Sequence, residues 1–450
     1  MNNIKIIAVL LLILGVSGCE KYLNAVPDSE LTIPKTVADF QQMLENEKMF
    51  TGAPALGEFG TDNIVITDDI LAAQHITFQN GYIYAKDVFA GARNSDWNNA
   101  YEKIYYANIV LEGIEKLDND NNSNTNINQL KGWALFCRAN AFYDLEEVFG
   151  QPYHPLTANT DLGIPLKLSS NLTEGIRRST VAETYQQIIN DLEEAILLLP
   201  VEVSRSNRSK PSKSAAYGLL ARIYLITQNY SQALINAENS LSQYRTLIDY
   251  NTLSTTARLP FNPLIDEIVY HSLQLIYLPS NCQIDKDLYD SYKDNDLRKV
   301  LFFNISTPNN VPLFKGSYGG GNGPYNGLAT DEIYLTRAEC YARLGDDQKA
   351  LDDINTLLLK RFKTGFFVPY TKANTADVLS LVLTERRKEC VLRNLRWPDL
   401  RRLNQDARYA KTITHFSKGV TYHLAPGDPK YALPIPDDEI RSSGLTQNIR

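Results

Sequence analysis

The chain has 450 residues, 44% hydrophobic and 22% charged, with a net charge of −7 at neutral pH. That balance excludes a disordered chain and a chain built of membrane-spanning segments. The acidic surplus argues against a nucleic-acid partner, because such binding depends on neutralising phosphates with Lys and Arg.

The first element is a leader. Lys5 precedes an apolar run at residues 6–16, and Ser17, Gly18 and Cys19 follow it. The run is well short of the roughly 20 residues that a transmembrane helix needs, and small residues before a cysteine mark a lipoprotein cleavage site. Residues 1–18 are therefore expected to be a signal peptide, and Cys19 the acylated N-terminus of the mature chain. Several acyl chains on one residue anchor far more firmly than one. Residues 20–35 carry Pro27 and Pro34 and little periodicity, as an extended tether would.

Helical patterns then dominate. Leu130, Ala134, Cys137, Ala141, Leu145 and Val148 recur in steps of three and four, and so do Val181, Tyr185, Ile188, Leu192, Ala195 and Leu199. Thr180 and Glu183 form a capping box for the second of these helices, and Pro200 ends it. Ala221-x-x-Tyr224 is followed twelve residues after its alanine by Ala233, and Ala338-x-x-Tyr341 likewise by Ala350. Gln228-Asn229 and Gly345-Asp346 supply the intervening turns. This is the pattern of a tetratricopeptide helix pair, occurring twice around an insertion at about residues 246–327. The insertion holds prolines, aromatic residues and a glycine-rich stretch at 316–325. Another irregular stretch covers 51–96. Long loops on a rigid scaffold are where binding functions concentrate. The predicted fold is all-α: a tetratricopeptide-like superhelix with long irregular ligand-binding loops.

No nucleophile elbow, Walker loop, dinucleotide fingerprint or HExxH occurs, so the chain reads as a non-enzyme without cofactor or metal. The run Glu385-Arg386-Arg387-Lys388-Glu389 sits at helical spacing and is expected to form ion pairs rather than an anion site. Cys137, Cys282, Cys340 and Cys390 are widely spaced, and free buried thiols are favoured over disulfides. Sugar recognition needs aromatic faces with a few placed polar groups. Two regions offer that mix. One holds Asp68, Asp69, Tyr82, Tyr84, Phe89, Arg93, Asn94 and Trp97; the other holds Tyr277, Tyr289, Tyr292, Tyr318, Asn322 and Tyr325. Trp97 is equally readable as core, and the glycines at 319–323 as a loop that either approaches ligand or simply moves.

An ordered set of landmarks resembles the SusD/RagB family of nutrient-binding lipoproteins. It begins with Cys19 to Pro27 and a first helix from Thr36 to Leu44. Trp97-x3-Tyr101-x2-Ile104-x3-Asn108 follows, then Leu130 to Ala134, Arg138-Ala139, Tyr143 to Leu145 and Phe149-Gly150. Gly163-Ile164-Pro165-Leu166, Ala215 to Tyr224 and Glu385 to Leu403 continue in order, and Tyr431 to Pro436 with Gln447-Asn448 closes the set. Arg393-Asn394-Leu395 departs from the family pattern before Arg396. The resemblance implies one domain over residues 19–450, anchored in the outer membrane and facing outward. It implies capture of oligosaccharide or polysaccharide for a SusC-like TonB-dependent transporter. It leaves room for peptide ligands, as in a RagB-like minority, and a scaffold for protein partners is a third reading.

Overall fold

The structure, a computed structural model, describes residues 34–118, 125–275, 282–307, 309–315, 318–321 and 323–450. The expected leader 1–18, Cys19, and Tyr277 and Asn322 of the insertion lie outside the described residues.

Helix starts follow the caps. The first helix, α1 (Val37–Glu45), opens on a capping box between Thr36 and Asp39. Next, α2 (Ser95–Asp118) packs against α3 (Thr125–Phe149), and α3 against α4 (Val181–Leu198). The capping box at the start of α4 joins Thr180 and Glu183 as the sequence predicts. The apolar stripe predicted for α3 is buried, yet it understates the helix: from Gly132 to Phe149 every residue is buried. A helix with neighbours on all sides has no solvent face to mark in the sequence. The insertion supplies one of those neighbours, with Tyr270 edge-on to Phe136 at 4.6 Å between ring centroids.

The two predicted helix pairs are present as α5 (Lys213–Ile226) with α6 (Tyr230–Gln243), and α7 (Thr330–Arg343) with α8 (Asp347–Leu358). Ala221, Ala233, Ala338 and Ala350 are all fully buried at the helix contacts. The turns need left-handed backbone, supplied by Gln228 at φ 59° and Gly345 at φ 87°. Helix α6 packs on α7, so the pairs stack in space although the insertion separates them in sequence. Gly218 of α5 permits a close approach to α7: a Cβ on it would lie 3.0 Å from Ile333. Two further helices, α9 (Val378–Glu389) and α10 (Arg396–Leu403), complete the stack.

The description all-α is too narrow. Irregular segments that cover a core must still pair their backbone groups, and here they do so through short antiparallel strands. A four-stranded sheet has the order β1 (Ile64–Val65), β5 (Gln283–Ile284), β7 (Pro312–Phe314), β6 (Phe303–Ile305). Two antiparallel pairs join β2 (Leu162–Pro165) to β3 (Arg178–Thr180) and β4 (Ile268–Tyr270) to β8 (Leu328–Ala329), and near the C-terminus β9 (Ile413–Ser417) and β10 (Val420–Leu424) form a hairpin.

Candidate functional site

The two irregular regions singled out in the sequence form one layer. Strand β1 of the N-terminal region pairs with β5 of the insertion, Ile64 opposite Ile284. Beside it Asp285 N–H donates to the Asn63 carbonyl at 2.9 Å, and Ala53 N–H to the Leu273 carbonyl at 3.0 Å. Arg387 of α9 lies under this seam and donates to Asn63 Oδ1 at 3.1 Å and the Asp62 carbonyl at 2.6 Å. The Asp62 carboxylate accepts from Arg396 Nε and Nη2 at 2.7 and 2.9 Å and from Lys411 Nζ at 2.8 Å. Burial opposes its charge, but Arg396, Arg387 and Lys411 outweigh that and hold its carboxyl well below the usual range.

Most of the aromatic candidates are part of the foundation of the layer rather than its surface. Trp97, Tyr82, Tyr84, Tyr292, Tyr318 and Tyr325 are all buried. The Tyr292 hydroxyl donates to the Lys388 carbonyl at 2.7 Å, Tyr325 donates to the carbonyls of Tyr270 and Leu328, and Tyr84 to that of Gly60. Trp97 packs edge-on to Phe149 at 5.0 Å. Asn94 is buried and caps α2 through Oδ1, which accepts from Trp97 N–H at 3.2 Å. As sugar-stacking platforms these rings are corrected by the structure, because both faces are occupied by protein. Asp69 and Arg93 are exposed and Tyr289 is half-buried, so these three remain open to a ligand. Gly320 is needed for backbone packing: at φ 79°, a Cβ on it would lie 2.4 Å from the Asn262 carbonyl carbon.

The charge cluster of α9 forms buried ion pairs, as its spacing implies. Arg298, fully enclosed, meets Asp296, Glu385 and Glu389 at 2.7, 2.6 and 2.9 Å. Arg361 bridges Glu389 and Glu267 at 2.7 and 2.9 Å, and the Tyr318 hydroxyl donates to Glu267. One helix of the scaffold is thus bolted to the insertion through charges enclosed by protein.

Sequence reasoning missed the C-terminal hairpin. His415 of β9 is stacked between Tyr82 at 4.1 Å and Tyr84 at 5.0 Å. Its Nδ1 lies 2.6 Å from the Tyr82 carbonyl and Nε2 3.0 Å from that of Thr61. The Asp68 carboxylate accepts from the Ser417 hydroxyl at 2.7 Å and Lys418 N–H at 2.8 Å. The signal was present: Ile413, His415 and Ser417 alternate with polar or exposed neighbours, and Lys418-Gly419 makes the turn. Among the described residues no group of three or more His, Cys, Asp or Glu is arranged to hold a metal ion. No described helix is long and apolar enough to cross a membrane.

Comparison with known proteins gives a consistent result. Residues 21–225 match the family described as "Starch-binding associating with outer membrane", and residues 329–450 match the SusD family. SusD-like protein P2 of Formosa agariphila is 28% identical over 149 residues, which are 33% of this chain and 27% of that protein. A SusD superfamily protein from Bacteroides thetaiotaomicron superposes with a TM-score of 0.72 at 21% identity, over 92% of this chain and all of its own (100%). A SusD-like carbohydrate-binding protein from Bacteroides vulgatus gives 0.70 at 19% identity, covering 91% and 97%. Surface glycan-binding protein A from Bacteroides uniformis gives 0.68 at 18%, covering 93% and 99%.

Proposed function

The chain belongs to the SusD/RagB family, and from that premise we propose that it is a carbohydrate-binding lipoprotein of the outer membrane. In this reading Cys19 carries the lipid anchor, residues 19–450 form one domain, and the ligand is an oligosaccharide or polysaccharide. A SusC-like TonB-dependent transporter receives it. The chain acts by holding and presenting its ligand, not by transforming it. The observation that carries the reading is the family match over both halves of the chain, outside the insertion. The β1–β5 seam supports a location: it brings the N-terminal and insertion loops into one layer, with Asp69, Arg93 and Tyr289 open to solvent.

Isothermal titration of the soluble chain lacking residues 1–19, against oligosaccharide and short-peptide panels, tests this. Heat with one glycan class, weakened by D69A, R93A or Y289A, is the expected result. Heat with peptides alone would replace the glycan by a peptide and leave the transporter role intact. No heat in either panel would favour a scaffold for protein partners.

A further inference from the structure

On its outer face α2 forms the floor of a trough that the four-stranded sheet does not line. Its cavity volume is about 740 Å³, within the range of a whole small-ligand site. Tyr101 and Tyr105 lie one helical turn apart on the floor, both half-buried. Asn98 is exposed at one end. Glu439 and Ser442 of the helix Asp437–Ser443 line the trough, and the loop at residues 166–177 contributes Lys167 and Leu172. A second trough of about 880 Å³ continues past Tyr105, which the two share.

The loop wall is fixed. Asn108 Nδ2 donates to the carbonyls of Lys167 and Ser169 at 3.0 and 3.2 Å, and Glu112 accepts from Ser170 N–H at 2.7 Å. Lys167 Nζ closes the loop on itself through the carbonyls of Asn171 and Glu174, each at 3.2 Å. Asn108 is held in turn by Arg138 at 3.0 Å, and Arg138 by Asp191 at 2.7 Å. Tyr101 is pinned by its hydroxyl to the Pro165 carbonyl at 2.8 Å. This rigid support leaves the apolar side chain of Leu172 75% exposed at the rim. Among the described residues the Tyr105 hydroxyl and the Asn98 side-chain amide form no hydrogen bond, while the Asn98 backbone N–H donates to the Asn94 carbonyl at 3.1 Å.

Aromatic faces, unpaired groups that donate and accept, and a prearranged wall are what a sugar chain requires. The charges are mixed: Lys167 stands against Glu174 at 3.9 Å, Glu102 is paired with Lys48, and Glu439 adds a further negative charge. A polyanion would meet no basic field here. We propose that this trough is a second carbohydrate-binding surface, specific for a neutral linear oligosaccharide laid along α2. The inference rests on the carbohydrate reading above and adds a site to it.

The test is isothermal titration of the full mature chain in detergent with maltoheptaose, cellohexaose and laminarihexaose, and with an oligogalacturonate as the anionic control. The proposal expects two sites per chain for a neutral probe, one of them weakened roughly tenfold in the Y105A/L172A double variant. It expects that site to be kept by Y105W, which preserves an aromatic floor. A single site lost in the double variant supports the trough and removes the loop layer as the site. A single site unaffected by the double variant, but lost with D69A/R93A/Y289A, overturns the trough and leaves the carbohydrate reading standing. Preference for oligogalacturonate overturns the neutral class. No heat with any probe overturns the trough, and if the peptide panel of the preceding titration gives heat where the sugars give none, the carbohydrate reading falls as well.

Discussion

The guanidinium of Arg393 lies over the ring of Tyr318, 4.3 Å from its centroid, and 5.3 Å from that of Tyr325. Its Nη1 also donates to Asp331 of α7 at 2.6 Å. The first of the three residues at which the chain departs from its family pattern thus packs the insertion rings against the scaffold. Its neighbours Leu392 and Asn394 take φ of 55° and 59°, which turns the chain tightly enough to aim it. Replacing Arg393 by Met strips the enclosed Asp331 of its ion-pair partner, a change that costs about 3–5 kcal/mol. Urea unfolding of R393M is expected to show that loss, and R393M/D331N a smaller one. Equal losses in the two would mean that the pair itself contributes nothing.

His415 acts on the other side of the layer. Its ring fills the space between Tyr82 and Tyr84, and both nitrogens face backbone carbonyls. Burial lowers its pKa, and the carbonyls of Tyr82 and Thr61 raise it. Removing the ring in H415A opens a cavity under the N-terminal loops at a cost of roughly 3 kcal/mol. Hydrogen exchange in residues 61–94 is expected to rise in this variant while that of α3 stays slow. Uniform loss of protection would show that the hairpin stabilises the whole domain rather than the layer.

These two residues mark what the sequence could and could not disclose. The repeated alanine–tyrosine–turn pattern and the capping boxes are local and periodic, so the helix pairs could be read directly. The Phe149-Gly150 step is visible too, although its cause is not: a Cβ at Gly150 would lie 2.1 Å from the Glu146 carboxylate. The two loop regions were identifiable by composition, and they do form one layer. The roles of their rings were not. Whether Tyr318 faces solvent or Arg393 depends on a contact 75 residues away in sequence, and neither residue type reveals the other. Only the exposed Asp69 and Arg93 and the half-buried Tyr289 remain as candidates of the kind the sequence suggested.

The four cysteines of the described residues are buried and unpaired. Burial pushes the Cys137 thiol up to about 12 and raises Cys282, Cys340 and Cys390 as well, so none offers a thiolate near neutral pH. Ellman's reagent is expected to find no reactive thiol among them in the folded protein and all four after unfolding. Dithiothreitol is expected to leave the melting temperature unchanged. A fall on reduction would reveal a disulfide.

Glu146 makes stability depend on pH in a direction opposite to the usual carboxylate. It is fully buried, and burial raises its pKa to about 8 against the opposing pull of Arg401. Glu58 is raised to about 7 in the same way. The unfolded chain releases these protons near pH 4.5, while the folded chain keeps them to pH 7 or 8. Across that window the unfolded state binds fewer protons, so unfolding becomes easier as pH rises. The slope is at most about 1.4 kcal/mol per pH unit for each group. Asp62 acts in the other sense: its lowered pKa stabilises the fold above the ordinary Asp range, and that contribution is lost as pH falls through the folded value. Maximum stability is therefore expected on the mildly acidic side. E146Q keeps a neutral side chain at every pH. It is expected to match the wild type at pH 5, to exceed it at pH 8, and to flatten the decline between them, as followed by urea midpoints. An E146Q profile parallel to that of the wild type would place the proton uptake on another group.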